Sequence, residues 1–216
     1  MRCTTASAPL PRPGKIVAVG LNYAAHAAEV GRATAETPQI FFKAPGTVIG
    51  PGEAIVLPPE SSRVEHEAEL GIVIGRRIRR VDAIAAVDAI AGYCCANDVS
   101  ARDIQDELGL PDYAKSFDTF CPLGPMVAAA SVDVTALRVE CLVNGRVRQS
   151  GRTADMLTPV GELLAYITAA MTLEPGDIVL TGTPAGSGTL SPGDRVTVRI
   201  TGVGSLTNPV TAEGQH

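Results

Sequence analysis

The chain of 216 residues contains no tryptophan, three histidines and few aromatics of any kind, 4% in all. The shortage of histidine narrows the candidates for proton transfer before any motif is read. The five cysteines, Cys3, Cys94, Cys95, Cys121 and Cys141, are odd in number and include no C-x-x-C pair. That spacing fits neither a disulfide framework nor a zinc site, and predicts reduced thiols in a cytoplasmic protein. Clustered basic charge is also missing: 18 Lys and Arg against 23 Asp and Glu leave a net charge of −5. A nucleic-acid surface needs lysines and arginines gathered on phosphates, so none is expected. No run approaches the roughly 18 apolar residues of a membrane span, because Asp82 and Asp88 interrupt the most apolar stretch, 81–96, and no membrane partner is expected. The first residues lack the apolar segment of a secretory signal, and 1–14 read as a loose tail before a single domain over 15–216.

What the chain has in excess is turn formers. It carries 22 glycines and 16 prolines in a composition otherwise ordinary for a globular protein, 45% hydrophobic and 19% charged. Strand-like runs recur at 15–20, 39–43, 54–57, 68–74, 92–96, 137–143, 177–181 and 195–200. Turn chemistry bounds them at Pro51-Gly52, Asn144-Gly145, Pro175-Gly176-Asp177 and Pro192-Gly193-Asp194. Asn144-Gly145 is a two-residue hairpin signal. Helices are fewer. The clearest spans 159–171, with Thr158 as N-cap, Pro159 at the first position, and Val160, Leu163, Leu164, Ile167 and Met171 on one face. Shorter ones are predicted over 23–30 and 82–89. The fold class is a β-rich α+β domain in which a few helices cover sheets.

Three segments could carry chemistry. In Glu65-His66-Glu67-Ala68-Glu69 the acids alternate and then run into the apolar strand 70–74. Residues two apart share a strand face, so three like charges point together toward a core, and a hard divalent cation would offset them. The alternative is a solvated strand edge. His66 faces the other way. Asn97-Asp98-Val99-Ser100-Ala101-Arg102-Asp103 follows the small apolar run 92–96. There Asp98 could complete a three-carboxylate site, or Asp98 or Ser100 could cap the next helix while Arg102 pairs with a surface acid. His26 and Glu29 lie three apart, a helical pair in which the carboxylate could orient the imidazole to activate water, or simply an exposed pair. The glycine-rich stretch 182–188 lacks the G-K-[ST] ending and following helix of a P-loop. Lys43 and Lys115 sit in mixed polar and apolar settings where either could bind a carboxylate.

Taken in chain order, the segments resemble the fumarylacetoacetate hydrolase family. The matching strings are Val19-Gly20-Leu21-Asn22-Tyr23 with His26 and Glu29, Phe41-Phe42-Lys43, His66-Glu67-Ala68-Glu69-Leu70, the N-D-V-S-A-R-D run from Asn97 with Gln105, the K-S-F-D-T-F-C-P-L-G-P run from Lys115, and T-G-T-P-A-G from Thr181. The resemblance implies a mixed β-sandwich roll and a homodimer. It implies a Mg²⁺ or Mn²⁺ site, able to take Ca²⁺ in a crystal, on Glu67, Glu69 and Asp98. His26, Glu29 and Lys115 become the catalytic groups, and Asn22, Tyr23, Lys43, Arg102, Gln105 and Thr183 the substrate contacts. The implied substrate is a small 2-oxo or diketo carboxylic acid. The implied reaction is hydrolysis of a C–C bond in an acylpyruvate through a metal-stabilised enolate, with oxaloacetate decarboxylation as a further activity. Isomerisation or decarboxylation of a 2-hydroxyhepta-2,4-diene-1,7-dioate in aromatic catabolism is the alternative, and a metal-binding scaffold without turnover is the non-enzymatic one. Leu21 stands where several acylpyruvate-cleaving relatives carry arginine, and 106–114 lacks the tryptophan and basic residues often found there.

Overall fold

The computed structural model describes residues 12–33 and 37–214. The loose tail expected over 1–14 falls mostly outside them, as does Cys3. The other four cysteines are buried and free, and burial pushes the Cys95, Cys121 and Cys141 thiols up to about 12.

A six-stranded sheet carries the site. Its order is Val127–Ala128, Ile90–Asn97, Ala68–Ile74, Ile178–Leu180, Ile16–Gly20 and Gln39–Lys43. Every pair is antiparallel except Ile16–Gly20 beside Ile178–Leu180. The strands read as continuous apolar runs because both faces are covered. Val17, Val19, Leu70 and Ile72 enter one core cluster, Ile16, Ala18, Val73 and Ile178 another. A five-stranded sheet packs on the first core, in the order Arg146–Arg152, Arg138–Val143, Arg195–Ile200, Gly204–Ala212, Ile55–Leu57. The expected hairpin closes it at one edge: Asn144 and Gly145 take φ 52° and 77°, both positive as a type I′ turn requires.

The helix predicted over 159–171 is Val160–Ala170, with Leu163, Leu164 and Ile167 buried. Its N-cap is Pro159, not Thr158. Thr158 is taken elsewhere: its N–H donates to Asn22 Oδ1 and its carbonyl accepts from Asn22 Nδ2. Ala24–Glu29 and Ala83–Val87 supply the two shorter helices, the second capped by Asp82, which accepts from the Ala85 N–H at 2.8 Å. Arg102–Leu108 and Pro111–Ala114 are further helices that the apolar periodicity does not announce. None of the described helices is long and apolar enough to cross a membrane.

Gly92 shows how closely the sheet is packed. A Cβ there would lie 2.3 Å from the Val127 carbonyl oxygen and 2.6 Å from Met126 Cγ. Gly92→Ala therefore forces the edge strand outward, and chemical denaturation should show a loss of about 1–3 kcal/mol, the usual result of overpacking.

Candidate active site

Two strand ends bring the acids together. Ala68 pairs with Asn97 and Glu69 with Ala96, so Glu67 and Asp98 leave the sheet side by side. Asn97 Oδ1 accepts from the Glu67 N–H at 3.0 Å, and the Asp98 N–H donates to the Glu67 carbonyl at 2.8 Å. The strand interrupted at Glu67 continues backward as Val64–His66 in a separate three-stranded sheet. One carboxylate oxygen from each of Glu67, Glu69 and Asp98 lies within 4.8 Å of the others, and all three residues are buried. A solvated strand edge is thereby excluded. Asp98 caps no helix: Ala101 is the N-cap of the next one, without a side-chain bond, and Ser100 donates to the Asp98 carbonyl.

Three buried cations face these acids. Lys115 Nζ donates at 2.7 Å to both Glu67 Oε2 and Asp98 Oδ2. Lys43 Nζ donates to Asp98 Oδ1 at 2.6 Å and to the Val99 carbonyl at 3.2 Å. Arg102 bridges inward, not to a surface acid: Nε donates to Glu65 Oε2 at 2.9 Å, and the terminal nitrogens reach Glu67 and Gln105. Burial opposes the Glu67 charge, yet Lys115 and Arg102 hold that carboxyl well below the usual range. Burial likewise opposes the Lys115 charge, but Asp98 and Glu67 raise its pKa. Glu69 goes the other way: burial, with Asp98 and Glu67 beside it, pushes its carboxyl well above the ordinary value. Its carboxylate accepts from the Gly182 N–H at 2.7 Å and has no cation bonded to it among the described residues. A donor set of three carboxylate oxygens, one of them uncompensated, fits a hard divalent cation such as Mg²⁺ or Mn²⁺.

Glu67 and Glu69 of the cluster open onto a cavity of about 590 Å³, within the range of small-molecule sites, and Asp98 lies buried behind them. Glu67, Glu69, Lys115, Arg102, Gln105 and Thr183 line it. On the facing wall, His26 Nδ1 lies 3.0 Å from Glu29 Oε2. A carboxylate only accepts, so Nδ1 carries the hydrogen and Nε2 remains available. Glu29 is held in turn by the Gly186 N–H, 2.9 and 3.0 Å from its two oxygens, which pins this helix to the 182–188 loop. Leu21, also on the wall, has φ 54°, an uncommon conformation for a residue with a side chain.

Three of the expected substrate contacts do not reach the cavity wall. Lys43 lies behind Asp98, fully buried. Asn22 is spent on the backbone, tying Thr158 to the Thr181 carbonyl. Tyr23 packs behind the wall with its hydroxyl buried and without a hydrogen-bond partner among the described residues, and burial, then Glu69 and Asp155, raise its pKa. Conversely, Gln149 is missing from the sequence-based set although it bonds at once to His66, Ala68, Thr183 and Pro184. Nothing in its local sequence distinguishes it from any polar strand residue. His66 faces away from the acids as alternation requires, and burial lowers its pKa.

Comparison with known proteins gives the arrangement its relatives. The crystal structure of a 5-carboxymethyl-2-hydroxymuconate delta-isomerase from Mycobacterium smegmatis superposes with a TM-score of 0.89 at 46% identity, over 97% of this chain and 82% of that one. A 2-hydroxyhepta-2,4-diene-1,7-dioate isomerase from Mycobacterium marinum gives 0.88 at 45% identity, over 97% and 78%. A mitochondrial oxaloacetate tautomerase of Rattus norvegicus is 40% identical over 213 residues, 94% of this chain and 68% of the rat protein. The family model described as fumarylacetoacetate (FAA) hydrolase C-terminal matches residues 15–211, and with it running through both sheets and every residue of the carboxylate cluster, the chain belongs to the fumarylacetoacetate hydrolase family.

Proposed function

We propose that this chain is a divalent-metal-dependent enzyme acting on small 2-oxo dicarboxylic or diketo acids, and that its reaction is proton transfer beside the 2-oxo carbon, a tautomerisation or double-bond isomerisation. The observation that carries the reading is the convergence of Glu67, Glu69 and Asp98, the first two lining a cavity whose walls bear Lys115, Arg102 and His26 and the third buried directly behind them. Glu67, Glu69 and Asp98 would hold Mg²⁺ or Mn²⁺, which when bound supplies positive charge to an oxygen becoming enolic. Lys115, held cationic by its acid neighbours, is placed to attract a substrate carboxylate or the same oxygen. Arg102 and Gln105, bonded to each other at 2.8 Å, present a fixed donor edge that orients the substrate. His26 takes or returns the proton at Nε2, with Glu29 fixing its tautomer. The names of the isomerase and tautomerase relatives favour this order of preference.

Hydrolysis of an acylpyruvate C–C bond is the second reading, favoured by the same His26–Glu29 pair, which could take the proton from water instead of carbon. The family match supports taking 15–216 as one catalytic domain, and we place it in a cytoplasmic homodimer. The test is a panel of oxaloacetate, followed by the absorbance of its enol, and acetylpyruvate, followed by pyruvate release. Chelator should abolish turnover and Mg²⁺ or Mn²⁺ restore it; turnover indifferent to chelator overturns the proposal. Which substrate responds separates the two readings. In either, His26→Ala should lower kcat by about 10²–10⁴-fold, the usual contribution of a positioned acid–base group, and leave Mn²⁺ affinity intact.

A further inference from the structure

Gln149 stands in the strand Arg146–Arg152 of the five-stranded sheet, fully buried, and does not line the cavity. All four of its hydrogen-bonding positions are used. Oε1 accepts from the Ala68 N–H and from His66 Nδ1, each at 3.0 Å. Nε2 donates to Thr183 Oγ1 at 2.8 Å and to the Pro184 carbonyl at 2.7 Å. The orientation of an amide must be inferred from its partners, and here two partners have fixed polarity. A backbone N–H can only donate and a backbone carbonyl can only accept, so Ala68 and Pro184 admit one orientation.

Further polarities follow. His66 must carry its hydrogen on Nδ1 to meet Oε1. The Thr183 hydroxyl, receiving the Gln149 N–H, sends its own hydrogen to the Ala68 carbonyl at 2.8 Å. Its single donor is therefore spent inside the protein, and no hydroxyl hydrogen is left for a ligand. Ala68 is the residue between Glu67 and Glu69, and Thr183 follows Gly182, whose N–H holds Glu69. Gly182 is fixed independently from its other side, because the Thr181 N–H and hydroxyl both bond the Leu70 carbonyl.

We propose that Gln149 is a positioning residue for the site: its acceptor half fixes the backbone between Glu67 and Glu69, and its donor half fixes the cavity-lining Thr183–Pro184 loop with the Thr183 hydroxyl turned inward. This rests on the reading of Glu67, Glu69 and Asp98 as a metal site. It gives the two ends of one amide separate consequences, one for metal binding and one for ligand binding.

Two variants of the full chain separate them. Gln149→Met loses all four bonds, whereas Gln149→Glu keeps both acceptor bonds and loses both donors. Three quantities are read: Mn²⁺ affinity of the chelator-stripped protein by electron paramagnetic resonance, oxalate affinity of the Mn²⁺-loaded protein by calorimetry, and the melting temperature. Oxalate is the probe because its adjacent oxygens resemble those of a 2-oxo acid in its enolate form. Gln149→Met should weaken Mn²⁺ binding about 10–100-fold, the range seen when partners of metal ligands are removed. Gln149→Glu should keep Mn²⁺ affinity within about threefold and weaken oxalate at least about tenfold, since only the loop half is lost. If Gln149→Met does not fold, Gln149→Glu decides alone. Folded variants that melt lower yet bind Mn²⁺ and oxalate like the wild type reduce Gln149 to a structural role and overturn the inference. A wild-type protein that binds no Mn²⁺ overturns the metal reading, and the inference with it.

Discussion

Asp98→Asn should lose most of the affinity for Mn²⁺ and much of the stability. Asp98 is completely buried, with Lys43 Nζ 2.6 Å from one oxygen and Lys115 Nζ 2.7 Å from the other. Both lysines are buried too, so they cannot turn to water when the carboxylate is neutralised. The asparagine offers one oxygen to accept from one ammonium and points an amide donor at the other. Lys115 retains the Glu67 carboxylate, but Lys43 is left without any carboxylate, with only neutral carbonyl oxygens such as that of Val99 at 3.2 Å to meet its charge. Removing one partner of a buried ion pair typically destabilises by about 3–5 kcal/mol. For a chain of this size, that is a fall of roughly 6–20 °C in melting temperature. Mn²⁺ affinity should drop at least about 100-fold, the upper end of what even an outer partner contributes. Adding Lys43→Met should recover part of the stability, because it removes the stranded charge, while leaving metal affinity low. A single mutant that melts within two or so degrees of the wild type would show that the lysines are hydrated, and would refute this account.

That double mutant isolates what sequence could not reveal about Lys43. The string Phe41-Phe42-Lys43 shows a lysine at the end of an apolar strand, and its solvated surface reading is the ordinary one. Its actual partner is 55 residues away, brought close only by the sheet order. Gln149 is the same case at separations of 81 and 34 residues. By contrast, the acids of the cluster were legible because two of them stand two residues apart at the start of one strand, Glu67 just before it and Glu69 within it, and period-two alternation gives their relative direction without knowledge of the fold. His26 and Glu29 were legible for the same local reason on a helix, and Asn144-Gly145 because its turn needs positive φ.

The fold was readable to a similar limit. The strands buried on both faces announce themselves as apolar runs, whereas Gly204–Ala212, nine residues long and central in its sheet, contains Asn208 and Pro209 and gives no such signal. The proline is tolerated because of where the neighbours end. It stands opposite Arg195, the first residue of the adjacent strand, while pairing with Ile55–Leu57 begins only at Val210. A proline that argues against a central strand in sequence is thus placed at a junction that only the tertiary pairing defines.

The affinity for metal should depend on pH through Glu69. Without a metal, burial and the neighbouring Asp98 and Glu67 keep its carboxyl protonated well above its ordinary 4.5. A cation binds the carboxylate, so each one that enters must expel that proton. Below the metal-free pKa of Glu69, Mn²⁺ affinity should rise about tenfold per pH unit, and above it the dependence should level off. Stability of the metal-free protein runs in the opposite sense. A carboxyl whose folded pKa exceeds its unfolded value contributes stability that is complete below about 4.5 and is lost as pH rises through the folded value. Glu67, depressed by Lys115 and Arg102 against its burial, contributes stability that is present above 4.5 and lost only as pH falls through its low folded value. Between 4.5 and about pH 8 the falling contribution is therefore that of Glu69, and saturating Mn²⁺ should flatten it. His66, its pKa lowered by burial, slopes the opposite way up to about 6.5, and the buried thiols lower stability only above about 9. Glu69→Gln removes the titrating group while keeping its shape and an oxygen for the Gly182 N–H. The metal-free variant should be at least as stable as the wild type at about pH 8 and should lack the wild type's decline between about pH 6.5 and 8. If its stability still falls there as the wild type's does, the proton is not on Glu69, and the charge that the cation must balance lies elsewhere in the cluster.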